Sequence, residues 1–458
     1  MLYRRIFIII IILIFSFTSI SYGDDIEGQE FISWQNEEIQ TSNCNEEPKI
    51  NSRAGIIYDR KSKRVIWGKA ENEKRPMAST TKIMSAIVVL ENANLNDVVT
   101  VSKKSAGTGG SRLGLKSGDK ITVNDLLYGL LLISGNDAAV ALAEYVGGSV
   151  QGFSDKMNAK AKELGLENTH FITPHGLDMQ EHYTTAMELA KMTDYALEIK
   201  KFASIVNTKS IVISINGQSK TLNNTNELLG NLEGVNGVKT GFTNGANRCL
   251  VTSVNREGMN IITVVLGADT KKDRTKDSVQ LIEYAYKNYE IYNLEEIIQK
   301  KYAEWKKINE SRIEVIKGKK NNLTTFLQEL DNTYYPIKKI DKDNIDVKIY
   351  NIKEIPAPVH KNTYVGKLCV FIKNEKILEL DIYAEKEIGK LEFLDYLRIF
   401  ITNNISNMEK AMWKRENINS MIFSLFGGDT RIRTEDGNFA DSCLTTWLCR
   451  HLIIYINI

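Results

Sequence analysis

Predicted β-strands at both ends of the first 290 residues enclose a helical section, which restricts the folds open to the chain. Apolar and β-branched runs predict strands at 54–58, 64–67, 209–215, 236–243, 248–254 and 260–266. Apolar residues at helical spacing predict helices from Ser79, over 123–133, from Asp137 to Tyr145, and over 184–206 and 274–289. Strands that flank helices favour an antiparallel sheet with a helical layer, an α+β fold.

The pattern changes beyond this unit. Segments such as IDVKIYNI, VGKLCVFIKN and KILELDIYAE are short and alternating, and they predict a small β domain at 300–388. A helix at 390–426 follows, with an apolar stripe formed by Leu391, Leu394, Leu397, Ile401, Ile405, Met408 and Met412. Such a helix has little core to pack against. An amphipathic helix on a membrane surface is therefore favoured over a packing helix.

The N-terminus carries an export pattern. Arg4 and Arg5 precede the apolar run IFIIIIILIF, and small residues follow at Ser21 and Gly23. This order predicts a signal peptide at 1–23, and an uncleaved membrane anchor is the alternative. Either reading places the body of the protein outside the cytoplasmic membrane, at its outer face or in the cell wall. The polar residues 24–52 are interpreted as a linker.

Composition narrows the functional classes. The 458 residues suggest two or three domains at roughly 100–200 residues each. A formal net charge of +2 gives no field of the kind that nucleic-acid binding needs. The five cysteines are odd in number and contain no C-x-x-C pair, so they predict scattered thiols rather than a disulfide framework or a zinc site.

The last residues differ from the rest of this Lys-rich chain. No lysine follows Lys414, and two of the five cysteines, Cys443 and Cys449, lie here. The segment 427–458 is therefore interpreted as an atypical tail that is not native, such as a translated extension. Mass spectrometry that found the intact tail on native protein would exclude this hypothesis.

The segment PMASTTKIMSAIVVL places Ser79 three residues before Lys82 at the start of an apolar helix. Ser and Thr are common helix N-caps and Lys is common on helix surfaces, so this spacing alone is weak evidence for catalysis. Two further motifs strengthen the evidence that Ser79 and Lys82 are catalytic. Ser134-Gly135-Asn136 precedes the helix at Asp137, and Lys239-Thr240-Gly241 lies in a predicted strand. Three such elements in this order are improbable by chance.

These motifs resemble the signature of penicillin-binding proteins and active-site serine β-lactamases. The chain is most similar to low-molecular-weight D-alanyl-D-alanine carboxypeptidases over roughly residues 50–390, through segments such as RPMASTTKIM, LLISGNDAAVALAE, THFITPHGLD and GVKTGFTNGANRCLV. The resemblance implies a DD-peptidase domain at 53–290, a small β domain and a C-terminal amphipathic anchor. It implies removal of the terminal D-alanine from peptidoglycan pentapeptides through an acyl-enzyme, and inhibition by β-lactams such as penicillin.

The motif residues then take chemical roles. Ser79 is the expected nucleophile and Lys82, one helical turn away, its general base, which requires a neutral amine. Burial and the charge of Lys239 favour that neutral form. Ser134 is expected to relay a proton to the leaving amine, and Asn136 to hold Lys82 and the substrate amide.

Negative charge that builds on the attacked carbonyl needs preorganised donors. The backbone N–H of Ser79, at a helix start, is one candidate, and the resemblance implies that Phe242 supplies the other. The residues expected to bind substrate are Lys239, Thr240, Gly241, Phe242, Thr243 and Arg274. Arg274 has an equal alternative, a solvated side chain in a charged loop.

Three other functions compete. A class A β-lactamase needs a Glu in an E-x-x-L-N loop, and the nearest segment, which starts at Glu227, has the wrong spacing. Transpeptidases share the chemistry but usually carry larger modules. A non-catalytic wall-binding scaffold normally lacks one of the reacting groups, all of which are present here. No cofactor or metal is expected, because the spacings of His170, His175 and His182 match no common ligand set.

Overall fold

The computed structural model of the protein describes residues 46–330 and 332–425. The predicted signal peptide at 1–23, most of the linker at 24–52 and the atypical tail at 427–458 lie outside these residues and stay predictions. Of the cysteines, Cys249 and Cys369 are buried free thiols. Cys44, Cys443 and Cys449 lie outside the described residues.

The strands are given in chain order. They are β1 (Ala54–Asp59), β2 (Arg64–Lys69), β3 (Val98–Thr100), β4 (Lys120–Thr122), β5 (Ser210–Ile215), β6 (Gln218–Asn223), β7 (Val235–Thr243), β8 (Asn247–Arg256), β9 (Met259–Ala268), β10 (Tyr289–Asn293), β11 (Glu314–Ile316), β12 (Thr325–Leu327), β13 (Tyr334–Lys338), β14 (Ile345–Asn351), β15 (Glu354–Pro356), β16 (Tyr364–Ile372) and β17 (Glu375–Ala384).

The helices are given in the same way. They are α1 (Lys82–Asn92), α2 (Lys103–Ala106), α3 (Val123–Leu131), α4 (Asn136–Gly147), α5 (Val150–Glu163), α6 (Ala186–Glu198), α7 (Lys200–Val206), α8 (Lys271–Asn288), α9 (Glu295–Asn309) and α10 (Phe393–Leu425). Short 3₁₀ turns occur at Ala78–Thr81, Glu310–Arg312 and Lys339–Asn344.

A five-stranded antiparallel sheet in the order β2-β1-β9-β8-β7 organises the first part of the chain. Strands from both ends of the helical section therefore pair, as the sequence pattern predicts. Strand β7, which carries Lys239-Thr240-Gly241, is an edge strand of this sheet. Within the part of the chain that the structure describes, one of its sides has no neighbouring strand, and backbone groups there can pair with an extended ligand.

Helices cover both faces of this sheet. Val251 of β8 points into a core shared with α1, α3, α4 and α6. Its neighbour Leu250 points to the opposite face, where Val279 and Ile282 of α8 pack. Successive side chains of a strand alternate between faces, so the nearly continuous apolar sequence of β8 reflects burial on both sides. The predicted α+β fold is confirmed, with a second helical layer formed by α8.

Some elements differ from the predictions. The helix predicted over 184–206 is two helices, α6 and α7, separated at Ile199, whose backbone is extended. Helix α5 is not predicted, because its buried apolar side chains, Phe153, Met157 and Ala161, are few. Strand β6 has the sequence QSKTLN and is mostly exposed, so it carries no apolar alternation to detect.

Two compact units divide the chain. The first contains the five-stranded sheet and its helices up to Asn309, together with Phe326–Asn351 and Tyr364–Tyr383. Its later strands belong to a sheet in the order β12-β17-β16-β14, which confirms the β-rich character predicted for this part of the chain. The second contains Glu310–Thr325, Ile352–Thr363 and the described residues 384–425. Strands β11 and β15 pair within it, in parallel.

Helix α10 confirms the predicted C-terminal helix. Several of its large apolar side chains are exposed, including Leu394 at 72%, Met408 at 65% and Trp413 at 70%. Among the described residues, no helix combines the length and the low polarity that crossing a bilayer requires.

Candidate active site

Ser79 lies in the 3₁₀ turn Ala78–Thr81, which leads directly into α1. The sequence predicts an α-helix from Ser79, but the first turn is tighter. The hydroxyls of Thr80 and Thr81 donate to the carbonyls of Met77 and Ala78, at 2.6 and 2.8 Å. Local side-chain bonds of this kind compete with regular helical hydrogen bonds.

Lys82 is the first residue of α1 and is fully buried. Its Nζ lies 2.7 Å from Ser79 Oγ, 2.7 Å from Asn136 Oδ1 and 3.0 Å from the carbonyl oxygen of His175. The predicted contact between Ser79 and Lys82 is therefore present. Three segments far apart in the chain hold one amine against the serine hydroxyl.

Two neighbouring residues at the start of α4 support this contact. Asn136 Nδ2 donates to the Gly109 carbonyl at 2.8 Å, which fixes the orientation of its amide so that Oδ1 faces Lys82. The carboxylate of Asp137 accepts hydrogen bonds from the backbone N–H groups of Leu113 and Gly114, both at 2.7 Å. These bonds tie the Gly-rich segment 105–119 to α4.

Ser134 has an unusual backbone and an available hydroxyl. Its φ of +63° lies in the left-handed region that non-glycine residues adopt rarely. Its Oγ is buried and has no hydrogen-bond partner among the described residues. A buried hydroxyl without a partner costs about 1–3 kcal/mol, so an incoming polar group gains from pairing with it.

Strand β7 passes close to the start of α1. A Cβ atom built on Gly241 would lie 3.0 Å from the backbone nitrogen of Ser79, so only glycine permits this approach without displacement. Lys239 is buried, and its Nζ donates to the carbonyl of Thr240 at 2.9 Å. The Thr240 hydroxyl lies 2.9 Å from the hydroxyl of Thr225. The structure thus brings the first and third motifs together.

Thr243 makes a contact that sequence reasoning missed. Its hydroxyl donates to Asp178 Oδ1 at 2.5 Å, and the backbone N–H of Gly245 donates to Asp178 Oδ2 at 2.9 Å. Asp178 thereby joins the segment PHGLD to the end of β7. Because the hydroxyl of Thr243 donates its hydrogen to Asp178, this threonine contacts a substrate only through an oxygen lone pair or after this hydrogen bond breaks.

The histidines near the site serve the scaffold. His182 Nδ1 accepts from the Ile172 N–H at 2.9 Å, and its Nε2 lies 2.8 Å from Thr81 Oγ1. Burial lowers the pKa of His182 to about 4. Burial and then the charge of Lys82 lower the pKa of His175 to about 3. His170 Nδ1 contacts the Glu181 carbonyl at 2.6 Å. These contacts are of the kind that a structural or loop role requires, and that role stays a prediction.

Two buried arginines lie on strand β8 and helix α8. Arg274 is 1% exposed and lies in the first turns of α8, so the alternative of a solvated side chain in a charged loop is wrong. The Arg248 guanidinium lies 4.4 Å from the centre of the Phe242 ring. Burial and then the charge of Arg274 lower the pKa of Arg248. Sequence reasoning did not select Arg248.

Comparison with known families decides the assignment. Residues 41–270 match the family model of D-alanyl-D-alanine carboxypeptidase, Peptidase_S11. The chain belongs to this family. Residues 292–390 of the carboxypeptidase match the C-terminal domain model of penicillin-binding protein 5. Membership implies peptidoglycan peptides as substrates and the binding of penicillin.

Individual relatives agree with the family model. The carboxypeptidase is 32% identical to D-alanyl-D-alanine carboxypeptidase DacF of Bacillus subtilis, over 76% of this chain and 88% of the relative. It is similar in structure to D-alanyl-D-alanine carboxypeptidase DacD of Francisella tularensis, with a TM-score of 0.64 and 25% identity over 80% of this chain and 99% of that one. The Streptomyces K15 DD-transpeptidase matches with a TM-score of 0.51 and 36% identity, over 53% of this chain and 99% of that one.

The serine-type D-Ala-D-Ala carboxypeptidase predicted from the motifs and from the resemblance over residues 50–390 is therefore confirmed as the activity of this chain. The β-lactamase and the scaffold are not supported. The motifs could not reveal Asp178 or the carbonyl of His175. Asp178 lies 65 residues from Thr243 in the sequence. The contact of Lys82 with His175 uses a backbone carbonyl, which every residue type has, so the sequence does not indicate it.

Proposed function

We propose that this carboxypeptidase cleaves the terminal D-Ala-D-Ala bond through an acyl ester on Ser79, with Lys82 as the general base. The observation that carries the proposal is the distance of 2.7 Å between Lys82 Nζ and Ser79 Oγ. A serine hydroxyl is a weak nucleophile until a neighbouring base takes its proton. A buried amine one turn away supplies such a base without a histidine.

The other contacts of Lys82 support this role. Asn136 Oδ1 and the His175 carbonyl oxygen can only accept hydrogen bonds. A neutral amine that donates its two N–H bonds to these acceptors can direct its lone pair at the hydroxyl of Ser79, which lies 2.7 Å away. Asn136 therefore orients the base as well as holding it.

Acylation follows from this arrangement. Ser79 Oγ attacks the carbonyl carbon of the penultimate D-alanine as its proton passes to Lys82. The tetrahedral intermediate collapses with cleavage of the C–N bond, and the leaving D-alanine amine takes up a proton relayed by Ser134. The unpartnered hydroxyl of Ser134 supports this relay role. Lys239, which is buried, favours the neutral form of Lys82 by its positive charge.

The oxyanion is bound by the backbone N–H groups of Ser79 and Phe242. The close passage of β7 over the start of α1 at Gly241 supports this pair. The substrate lies extended along the open edge of β7, and its backbone pairs with that strand. Removal of one oxyanion donor typically costs about 3–4 kcal/mol of transition-state stabilisation.

The terminal carboxylate of the substrate is bound by Lys239, Thr240 and Arg274. All three side chains are buried; Lys239 and Thr240 lie on β7, and Arg274 lies in the first turns of α8. Burial strengthens their attraction for an anion, because water screens the charges less. Thr243 acts at the same end of the strand through its link to Asp178.

Water then attacks the acyl ester, which regenerates Ser79 and releases the shortened peptide. A β-lactam ring opens on the same serine and leaves an ester in the same place, which accounts for inhibition by penicillin. Lys82, as the base beside the ester, is placed to activate the water.

Release of D-alanine from a pentapeptide ending in D-Ala-D-Ala tests the proposal, with the full chain and Ser79→Ala compared. We expect release by the first and none by the second. Mass spectrometry of the protein treated with penicillin should show a covalent adduct on the peptide that contains Ser79. An adduct on any other residue, or release by Ser79→Ala, would refute the assignment of the nucleophile.

The predicted layout supports a location at the outer face of the cytoplasmic membrane or in the cell wall. We propose a peptidase domain at 53–290, a small β domain at 300–388 and a membrane-surface helix at 390–426. The limits of the two family matches, 41–270 and 292–390, support these boundaries. The export signal at 1–23 remains a prediction.

A further inference from the structure

The two faces of β7 have different neighbours. Gly241 faces the start of α1, because a Cβ built on it would contact the backbone of Ser79 and Thr80. Side chains alternate along a strand, so Thr240 and Phe242 point to the opposite face. The proposed ligand of the substrate carboxylate, Thr240, therefore shares its face with Phe242.

Strand β8 places Arg248 on that same face. Phe242 pairs directly with Arg248, and Thr240 pairs with Leu250, in the register of β7 and β8. Directly paired residues of antiparallel strands project to the same side. Leu250 packs in the core that α8 completes, and α8 also carries Arg274.

Both arginines are withdrawn from water. Arg248 is 8% exposed and Arg274 only 1%. The charge of Arg274 contributes to the lowered pKa of Arg248, so the two guanidinium groups repel each other. Burial keeps water from screening these charges, so each guanidinium group attracts an anion more strongly than an exposed one would.

The ring of Phe242 also orients Arg248. A guanidinium stacked on an aromatic ring uses its flat face, and its N–H bonds remain in the plane of the group. These in-plane donors match the two oxygens of a carboxylate. Arg248 therefore combines a fixed orientation, a low exposure and donors of the right geometry.

We infer that Arg248 is a second arginine of the carboxylate site: it binds the terminal carboxylate of the substrate beside Arg274 and makes the enzyme selective for peptides with a free C-terminus. This inference rests on the carboxylate site in the proposed function. It adds a residue that none of the three motifs contains and that lies on the strand next to β7.

The test compares two N-blocked peptides that end in D-Ala-D-Ala, one with a free carboxylate and one with a C-terminal carboxamide. The measured quantity is the ratio of kcat/KM for the two peptides, from release of D-alanine or D-alaninamide. In Arg248→Met we expect this ratio to fall about tenfold or more, mainly through KM of the free peptide, since a hydrogen bond to a charged group has that effect. Arg248→Lys, which keeps the charge, should recover part of the ratio.

Arg256→Met is the matched control. Arg256 lies on the same strand and stacks on Tyr286 at 4.9 Å, but it is at the far end of β8. In Arg256→Met an arginine–aromatic contact is lost away from the proposed site, so the ratio of kcat/KM for the two peptides should stay unchanged. Thermal melting of each variant shows whether it is folded.

The outcomes separate this inference from the proposed function. If Arg274→Met lowers the ratio and Arg248→Met does not, Arg248 only packs on Phe242 and the inference is wrong. If neither variant lowers the ratio, the proposed carboxylate site itself is wrong. If Arg248→Met lowers kcat equally for both peptides, its role is structural and the inference is also overturned.

Discussion

The side-chain oxygen of Asn136 contacts Lys82, the proposed base, so the charge of residue 136 affects the protonation of that amine. Its Oδ1 accepts from Lys82, and its Nδ2 donates to Gly109. In Asn136→Asp a carboxylate replaces the amide and stabilises the charged ammonium form of Lys82. We expect acylation by penicillin near neutral pH to fall about 10²–10³-fold, the scale of general-base catalysis, and to recover partly as pH rises.

Stopped-flow or quenched acylation across a pH series measures this effect. Asn92→Asp is the control: Asn92 is exposed at the far end of α1, the helix that begins at Lys82, and the variant should acylate at the wild-type rate. A rate for Asn136→Asp that is low but independent of pH would contradict the explanation and indicate a lost substrate contact instead.

His182 links stability to pH. Its Nδ1 accepts a backbone N–H, so the folded protein holds it neutral, and burial lowers its pKa from 6.5 to about 4. Between these values the unfolded chain binds more protons than the folded one. The free energy of unfolding therefore rises from pH 4 to 6.5, by about 3 kcal/mol from this group, and is constant above.

Urea denaturation at pH 4, 5, 6 and 7 measures this dependence. His182→Gln carries no titrating group, so its unfolding free energy should be lower at pH 7 and should fall less steeply towards acid. His175 titrates in the same direction and remains in both proteins, which makes the difference between them specific to His182. Parallel curves would show that His182 does not set the acid sensitivity.

At the level of elements, the loop that carries His175 packs against the turn that carries Ser79. Gly176 has a φ of +86°, and a Cβ on it would lie 1.9 Å from the Ala78 carbonyl oxygen. Gly176→Ala must therefore displace the turn Ala78–Thr81. We expect a loss of more than about 2 kcal/mol of unfolding free energy and at least a tenfold loss of acylation rate, because the nucleophile moves.

Gly165→Ala is a matched control for the free-energy cost of placing alanine in the left-handed backbone conformation. Gly165 has a similar φ of +67°, but a Cβ there would meet nothing within 4 Å. Its cost should be that of the left-handed conformation alone, about 1 kcal/mol, with normal acylation. Equal effects of the two substitutions would mean that the packing at Gly176 is not what positions Ser79.

The same elements show what sequence could predict. The i to i+3 spacing of Ser79 and Lys82 is local, so their contact follows from the turn and the helix start. The buried Arg274 and the link between Asp178 and Thr243 depend on how distant segments pack, and nothing in their neighbourhoods in sequence records this. Helix α5 and strand β6 were missed because their apolar patterns are weak.

For the whole molecule, sequence predicted the α+β fold, the β-rich second part and the C-terminal helix. These parts are predictable because each has apolar residues at its own spacing, and this spacing can be read directly from the sequence. The hydrophobic period predicts that α10 is a helix. Binding of α10 to a membrane depends in addition on which of its side chains are exposed. The exposed Leu394, Met408 and Met412 lie on one stripe of α10, as the predicted spacing requires.

An amphipathic helix binds a bilayer by burying its apolar stripe, so charges on that stripe should release it. We expect the full chain to sediment with phosphatidylcholine vesicles, and the double variant Leu394→Glu, Met408→Glu to partition at least about tenfold less. Asn403→Glu with Asn407→Glu adds the same charge to the opposite side of α10 and should bind like the wild type. Equal partitioning of the two double variants would show that the stripe is not a bilayer-binding face, and the proposed membrane role of α10 would be wrong.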